Sequence, residues 1–229
     1  MKRSLLALAV IALTACAQPA HDASEALQSC AALQMSGELT PGECRLEASG
    51  QTLHVRFAEL AAGMQSGNVS IDVVGSDGQV DQTLLEADVS EYKAPSVQDV
   101  DGDGRGDILI PLMTGNVNTE YAVWLYSGAD GRFERVGVVS GVEIMRTDDG
   151  YVAVPARGGA ASWAVAFYRL DQEGLHPLVT LQIDGQEIGG AIRSTCTVEE
   201  APGIGTLGLS DRAVQEKFCA EPAAQVFGP

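Results

Sequence analysis

Four aspartates in one nine-residue stretch constrain this chain more than any other feature. They occupy the first, third, fifth and ninth positions of segment 99–107, as Asp99, Asp101, Asp103 and Asp107. Carboxylates this close repel one another unless a cation lies among them. Oxygen ligands on a curled backbone suit Ca²⁺ better than Mg²⁺, which resists losing its water. Gly104 permits the sharp bend that the loop requires. The spacing therefore predicts a structural calcium site.

A fifth ligand is expected from the backbone of the same loop. Arg105 stands in the seventh position, where we expect its carbonyl oxygen to bind the cation while its side chain points to solvent. The alternative is a solvated acidic turn without metal. The tripeptide Arg105-Gly106-Asp107 matches a cell-adhesion motif. We do not expect that function, because a carboxylate that faces a cation cannot also be offered to a receptor.

The loop resembles the calcium loops of known families. An EF-hand loop shares the spacing as far as the ninth position but has a bidentate glutamate at the twelfth, where this chain has Ile110. The apolar run 108–110 indicates a strand and not a helix. An acidic loop that leads into a strand resembles FG-GAP and VCBS repeats of integrin-type β-propellers. Only one such loop is present, so the sequence is not a repeat array.

Short β-type segments separated by turns follow one another from residue 38 onward. We expect strands at 44–48, 53–57, 69–74, 80–85, 108–112, 121–126, 133–139, 142–146, 151–155, 163–170 and 175–183. This spacing predicts an all-β fold of antiparallel hairpins, either propeller-like or a sandwich. Roughly 200 mature residues suffice for one core, so we expect a single domain over 30–229.

Two short helices complete the expected secondary structure. Asp22 and Glu25 are expected to form a capping box for a helix that runs through Leu33. The second helix is expected near the C-terminus, over 210–218, where Ser210 can cap its first turn.

The first fifteen residues predict a secretory signal. A basic start precedes the apolar run 5–13, which is too short to cross a membrane as a mature helix. The ending Leu13-Thr14-Ala15-Cys16 resembles the bacterial lipobox, in which the cysteine becomes the acylated first residue. The alternative is an ordinary signal peptide with a chance cysteine at its end.

The lipobox resemblance implies where the mature protein is located. Acyl chains on Cys16 would anchor it to a membrane, which it would touch through lipid only. Ala17 follows the cysteine where aspartate would signal retention, so the resemblance implies a periplasmic protein on the outer membrane. Residues 16–29 are rich in alanine and polar side chains and predict a tether.

The other four cysteines predict disulfide bonds. An even number of cysteines in an exported chain is typical of disulfides. Four cysteines allow three pairings, and we expect sequence neighbours to pair. The expected pairs are Cys30 with Cys44 and Cys196 with Cys219. Zinc is the alternative, but no Cys-x-x-Cys motif or nearby histidine favours it.

The charge of the chain limits its partners. The formal net charge is −17, and a mature chain without Lys2 and Arg3 is more negative still. Such a protein does not bind nucleic acid or anionic lipid through bulk electrostatics. The charge favours a cationic protein partner, although a solvated periplasmic surface has the same composition.

The sequence contains no recognised catalytic motif. His21, His54 and His176 stand outside metal and nucleophile motifs, and Gly-x-Ser-x-Gly is absent. So few histidines make a Ser–His or Cys–His pair improbable. A pair of carboxylates for glycoside hydrolysis stays open, because such partners meet only in three dimensions. We expect the protein not to be an enzyme.

A polar connection follows the strand that begins at the acidic loop. Fixed at one end through that strand, it is a candidate recognition surface. The expected partner-binding residues are Gly115, Asn116, Asn118 and Tyr121. The alternative is an ordinary hairpin loop in which Tyr121 packs as the first strand residue. Segment 157–163, from Arg157 to Trp163, is a second candidate surface.

Segment 97–136 carries a narrower resemblance. Its order is the acidic loop, a strand, a Thr-Gly-Asn loop, the strand 121–126 and the turn 128–131. This order resembles periplasmic immunity lipoproteins of antibacterial type IV secretion systems, which are similar to I-type periplasmic lysozyme inhibitors. Within the acidic loop, where that family usually has asparagine and an aromatic residue, this chain has Asp101 and Gly102.

The resemblance implies a function. It implies a calcium-braced lipoprotein of the immunity type that binds and inhibits a lysozyme-like, peptidoglycan-cleaving enzyme. Residues 115–121 would enter the active-site cleft of that enzyme. The alternative is a structural or scaffolding calcium-binding envelope lipoprotein without an enzyme target.

Overall fold

The computed structural model describes residues 27–37, 42–57, 67–90, 93–171 and 173–227. In these residues thirteen strands form three antiparallel sheets. The strands are β1 (Glu43–Ala48), β2 (Gln51–Phe57), β3 (Gly67–Val74), β4 (Val80–Val89), β5 (Ser96–Gln98), β6 (Asp107–Thr114), β7 (Thr119–Ser127), β8 (Arg132–Gly141), β9 (Met145–Arg146), β10 (Val152–Arg157), β11 (Ser162–Asp171), β12 (Gly174–Ile188) and β13 (Ala191–Glu200). The helices are α1 (Cys30–Ser36) and α2 (Asp211–Cys219), with short 3-10 turns at Ile204–Thr206 and Pro222–Ala224.

Each sheet is a meander in which every strand pairs with its neighbour along the chain. The first sheet contains β1–β4, the central sheet β5–β8 and the third sheet β9–β13. Such consecutive sheets resemble propeller blades, although closed propellers have about four to eight of them. The all-β fold of antiparallel hairpins is confirmed, and its sheets are open.

The central sheet is covered on both faces. Ile108 and Phe133 pack with the apolar face of the first sheet, which includes Leu53 and Ile71. On the opposite side, Leu109 packs with residues of the third sheet. The first five residues of β6 are all buried. A strand buried on both faces has a continuous apolar sequence, whereas strands of the first sheet alternate between apolar and polar residues.

Helix α2 covers the outer face of the third sheet. Ser210 caps it by accepting a hydrogen bond from the Ala213 amide. Phe218 is fully buried, with its ring centroid 4.8 Å from that of Phe167. Burial of such a side chain contributes about 1.5–3 kcal/mol. The expected C-terminal helix is confirmed.

Both expected disulfides are present. Cys30–Cys44 joins α1 to β1, and Cys196–Cys219 joins β13 to α2. Helix α1 begins after Ser29, whose hydroxyl accepts a hydrogen bond from the Ala32 amide. The expected capping residues Asp22 and Glu25 and the lipidation site Cys16 lie outside the described residues, as does most of the tether. Within the described ranges, no helix has the length and apolar character needed to cross a membrane.

The two disulfides differ in their access to solvent, which leads to a prediction. Cys30 and Cys44 are fully buried, whereas Cys196 and Cys219 are half-buried and line a cavity beside α2. Because reduction requires access of a thiolate to sulfur, dithiothreitol without denaturant is expected to reduce Cys196–Cys219 first. Alkylation followed by mass spectrometry over time would measure both rates. Equal rates for the two pairs would contradict this prediction.

Several strands differ from the sequence-based expectation. Strand β13 was not predicted, because Ile192, Cys196 and Val198 are the only large apolar residues in a strand that is mostly exposed at a sheet edge. Strand β12 continues to Ile188, beyond the expected end at 183. The predicted strand 142–146 shortens to Met145–Arg146.

Candidate functional site

The acidic loop connects β5 to β6, and its own carboxylates hold its shape. The Asp99 carboxylate accepts hydrogen bonds from the amides of Gly102 at 2.7 Å, Asp103 at 3.1 Å and Gly104 at 3.0 Å. Gly102 and Gly104 have φ angles of +75° and +83°. Those left-handed conformations favour glycine. The loop is therefore a tight, pre-curled turn, as its sequence predicted.

Asp107 is the buried carboxylate of this loop, with 1% exposure. One oxygen accepts a hydrogen bond from the Val100 amide at 2.7 Å, and the other accepts one from the Tyr126 amide at 2.9 Å. Burial raises the pKa of Asp107 to about 6, although both amide hydrogen bonds oppose the rise. Its burial also means that the adhesion-like tripeptide does not present its carboxylate at the surface.

Three of the four aspartates come together. Carboxylate oxygens of Asp99, Asp101 and Asp107 all lie within 4.8 Å of one another. Asp103 is not in this group, because its carboxylate accepts a hydrogen bond from the Arg105 amide at 2.8 Å and forms an ion pair with the Arg105 guanidinium. The structure thus places the Asp103 carboxylate outside the group that Asp99, Asp101 and Asp107 form.

The side chain of Arg105 is 46% exposed, as expected, but it is also held by contacts. It turns back to Asp103, and its guanidinium lies 5.8 Å from the centre of the Tyr126 ring. The reason is electrostatic, because a guanidinium is attracted both to a carboxylate and to an aromatic face.

The three converging aspartates fit a hard cation. Burial raises the pKa of Asp101, and the neighbouring charges of Asp103 and Asp99 raise it further. Ionised carboxylates at this site therefore cost free energy that a bound cation would recover. Ca²⁺ takes about six to eight oxygen ligands, so backbone carbonyls and water would have to complete the shell. The donor set is compatible with Ca²⁺.

All three sheets contact the acidic loop. Ser49, in the β1–β2 turn, donates a hydrogen bond to the Gly106 carbonyl at 2.8 Å. Arg146 of β9 donates to the Val100 carbonyl at 3.3 Å. Its side chain also covers Gly102, where an added Cβ would lie 2.7 Å from the Arg146 Nε. No sequence pattern marked Ser49 or Arg146, because both contacts arise from tertiary packing.

The predicted partner-binding segment includes the loop 115–118 between β6 and β7, which we call the partner loop. It lies at the opposite end of β6 from the acidic loop. Its turn closes through a hydrogen bond from the Gly115 amide to the Asn118 carbonyl at 2.8 Å. Strand β6 has eight residues, so the two loops are separated by about 23 Å. The acidic loop therefore does not touch the partner loop, and any effect of a metal on it must pass along the strand.

Asn118 fastens the partner loop to the third sheet. Its amide nitrogen donates to the Arg157 carbonyl at 3.1 Å, and its amide oxygen accepts from the Arg157 amide at 2.8 Å. The two surfaces that the sequence indicated separately thus meet. Residues 115–118 and 157–160 line one open groove of about 430 Å³, which includes Gly115 and Asn116.

Among the described residues that line this groove, Arg157 is the one with a cationic side chain. Its Nε donates to the Gly159 carbonyl at 3.0 Å, and its guanidinium lies 5.9 Å from the centre of the Trp163 ring. These contacts hold the side chain in place. The groove therefore has a defined shape and one fixed positive charge.

Tyr121 does not line the groove. It pairs with Pro111 and Val139 in the central sheet and packs, half-buried, against the cluster between that sheet and the third. The structure gives Tyr121 the packing role that was the alternative interpretation, because its strand position directs the ring into that cluster.

A second group of potential metal ligands was not recognised in the sequence. Oxygens of Asp171 and Glu173 and a ring nitrogen of His176 lie within 4.8 Å of one another at the β11–β12 turn. The amide of Glu173 and the nearby His176 lower the pKa of Asp171. Arg169 pairs with Asp171 at 3.2 Å. The arginine supplies the positive charge that a metal would otherwise provide.

Comparisons with known proteins give little further information. No protein-family model matches the sequence, and no curated protein matches it. The solved structure of a Xanthomonas type IV secretion system related protein aligns with a TM-score of 0.43 and 12% identity, over 68% of this chain and 93% of that chain. A TM-score of this size is too low to support an inference about function.

Proposed function

We propose that this protein is a periplasmic lipoprotein of the immunity type, which binds and inhibits a lysozyme-like, peptidoglycan-cleaving enzyme. The observation that carries the proposal is the groove between 115–118 and 157–160, fastened by the reciprocal Asn118–Arg157 hydrogen bonds. Interfaces form most readily on surfaces that need little reordering on binding. Two loops joined in this way form such a surface.

The composition of the groove supports a protein as its partner. Val117 is 48% exposed in the partner loop, and Arg157 provides a guanidinium held against Trp163. Arginine and exposed apolar side chains are frequent at protein interfaces. The net charge of −17 would speed the encounter with a cationic enzyme. Attachment through acylated Cys16 would keep the inhibitor at the membrane that the enzyme's substrate faces.

Calcium has a structural role in this proposal. Asp99, Asp101 and Asp107 would supply carboxylate oxygens and Arg105 its backbone carbonyl. The cation would neutralise the loop at the point where Ser49 and Arg146 connect the first and third sheets to it. Calcium would therefore fix the positions of the three sheets relative to one another and would not touch the enzyme.

Inhibition assays test this function. The purified protein is expected to inhibit at least one member of a panel of peptidoglycan hydrolases that includes any lysozyme-like enzyme encoded beside its gene. Asn118→Ala removes both hydrogen bonds to Arg157 and is expected to raise the half-inhibitory concentration about 10-fold or more. Asn68→Ala, at an exposed position of β3, is the matched control and is expected to have no effect.

The outcomes separate the candidate functions. Failure of the wild-type chain to inhibit or bind any hydrolase would reject the inhibitor function. Co-purification with an assembly component of the envelope would then favour the scaffolding role. Turnover of cell-wall material by the pure protein would indicate an enzyme.

A further inference from the structure

The hairpin of β12 and β13 extends past the rest of the third sheet. Strand β11 begins at Ser162, which pairs with Asp184. Beyond that pair, residues 185–188 of β12 pair with 191–194 of β13 and with no other strand in the part of the chain that the structure describes. We name residues 185–194 the arm. Its turn consists of Gly189 and Gly190, whose φ angles of +64° and +83° suit a tight two-residue hairpin.

The arm is anchored at its base and open at its tip. The Gly185 amide donates to the Ala161 carbonyl at 2.8 Å, and an added Cβ at Gly185 would lie 3.0 Å from the Phe227 ring. At the tip, an added Cβ on Gly189 or Gly190 would meet nothing within 4 Å. The arm therefore projects as a ribbon of two strands from a fixed base.

Two large apolar side chains are exposed on this ribbon. Ile188 is 51% exposed and Ile192 is 61% exposed. Ile192 is paired with Glu187 and Ile188 with Ala191, so the two isoleucines lie on opposite faces of the ribbon. An isolated two-stranded hairpin is marginally stable in water. A chain gains little stability from such a feature, so a role in contact with another molecule is a better explanation.

The arm stands beside the groove. Ala161, which binds the base of the arm, directly follows groove residues 157–160. The groove and the arm therefore flank the same β10–β11 loop and form one continuous end of the molecule. A partner seated on the groove would reach the arm.

We propose that the arm inserts into the cleft of the partner, with Ile188 and Ile192 as its apolar anchors. This inference rests on the proposed inhibitory function and names the element that enters the enzyme. Strands lie about 4.8 Å apart, so the ribbon needs an open cleft with room for two strands and their side chains. A hydrolase that accepts a glycan chain has an open cleft of this kind.

The charge of the arm favours this occupant over others. Glu187 and Arg193 are the charged residues between 185 and 194, so the arm is neutral. Without net charge, the arm has no long-range repulsion from a cationic or an anionic cleft wall, and burial of its two exposed isoleucines, Ile188 and Ile192, in a protein cleft is favourable. A β-ribbon can also enter the major groove of DNA, but a chain with a net charge of −17 is repelled by phosphates.

A pair of matched double variants tests the inference. Ile188→Ser with Ile192→Ser removes both anchors, whereas Val80→Ser with Leu85→Ser changes residues on β4 that are 54% and 59% exposed. The assay is inhibition of the hydrolase that the wild-type chain blocks. The arm variant is expected to raise the half-inhibitory concentration at least about 30-fold. The β4 variant is expected to remain within about 3-fold of wild type. If the arm variant melts lower than the β4 variant, Ile192→Ser alone replaces it.

Each result decides the inference. Inhibition by the arm variant that equals that of the β4 variant would overturn the arm proposal and leave the proposed function intact. A wild-type chain that inhibits no hydrolase would overturn both. Sedimentation equilibrium of the wild-type chain and the arm variant tests whether the arm instead mediates dimerisation. A wild-type dimer that the arm variant dissociates, with inhibition unchanged, would assign the arm to a second copy of this chain and also overturn the proposal.

Discussion

Calcium at about 100 times its dissociation constant is expected to raise the free energy of unfolding by about 2.7 kcal/mol. For a chain of this size, the melting temperature should rise by about 5–11 °C. The physical reason is that Asp99, Asp101 and Asp107 bring three carboxylates within 4.8 Å of one another, and the unfolded chain does not preserve that arrangement. Thermal unfolding with excess calcium and with a chelator measures the shift.

Two substitutions distinguish the ligands from their neighbour. Asp101→Asn removes a charge from the converging group and is expected to abolish the calcium-dependent shift. Asp103→Asn is expected to retain it, because Asp103 pairs with Arg105 outside the group. Asp130→Asn, in the exposed β7–β8 turn, is the control. Loss of the shift in Asp103→Asn would show that Asp103 leaves Arg105 to bind the cation. Identical melting of the wild-type chain in calcium and chelator would reject the metal.

Glu86→Ala is expected to lower the free energy of unfolding by about 2–4 kcal/mol. The Glu86 carboxylate on β4 is 5% exposed. It accepts hydrogen bonds from the Trp124 indole at 2.7 Å and from the Arg135 Nε at 2.8 Å. Removal of the carboxylate leaves two donors of the central sheet without their acceptor. Arg135 keeps 40% exposure, and partial hydration of its guanidinium places the effect below that of a fully buried pair. Urea denaturation measures the loss.

Three further variants identify the cause of this loss. Glu86→Gln retains an acceptor for Trp124 and is expected to cost less than Glu86→Ala. Arg135→Met combined with Glu86→Ala is expected to recover part of the stability, because the double variant has no uncompensated guanidinium. Glu134→Ala, at an exposed position of β8, is expected to stay within about 0.5 kcal/mol of wild type. Equal losses in Glu86→Ala and Glu134→Ala would contradict the bridging role of Glu86.

Structural features whose interacting residues are close along the chain could be predicted from the sequence. The acidic loop is curled by bonds between carboxylates and amides that lie at most seven residues apart, as in the bonds from Gly104 to Asp99 and from Val100 to Asp107. Several hairpin turns contain a glycine with positive φ, such as Gly78 and Gly131, and α2 begins where Ser210 can cap it. The disulfide pairs also join sequence neighbours, 14 and 23 residues apart. In each case the partners are close along the chain, so their spacing carried the information.

Strand β13 and the arm could not be recognised in this way. A strand at a sheet edge needs little apolar character, because only one partner strand and one face are covered. The sequence of β13 therefore alternates only in part, because Cys196 and Val198 share the covered face whereas polar Ser194 interrupts the pattern, and its pairing with β12 defines it as a strand. Ile188 and Ile192 could be recognised as part of a projecting hairpin only from the structure. It shows that they lie beyond Asp184, the last residue of β12 that pairs with β11.

The sequence by itself determined the all-β class, the presence of antiparallel hairpins and the curled acidic loop, because each depends on residues close along the chain. It allowed three disulfide pairings, and the structure shows the pairs between sequence neighbours. The tertiary structure decided which carboxylates converge, since Asp103 prefers Arg105. It also decided that the partner loop lies at the far end of β6 and that Asn118 joins it to Arg157 across 39 residues of sequence. Contacts over such separations depend on how the sheets stack, and stacking is set by the whole core rather than by any local pattern.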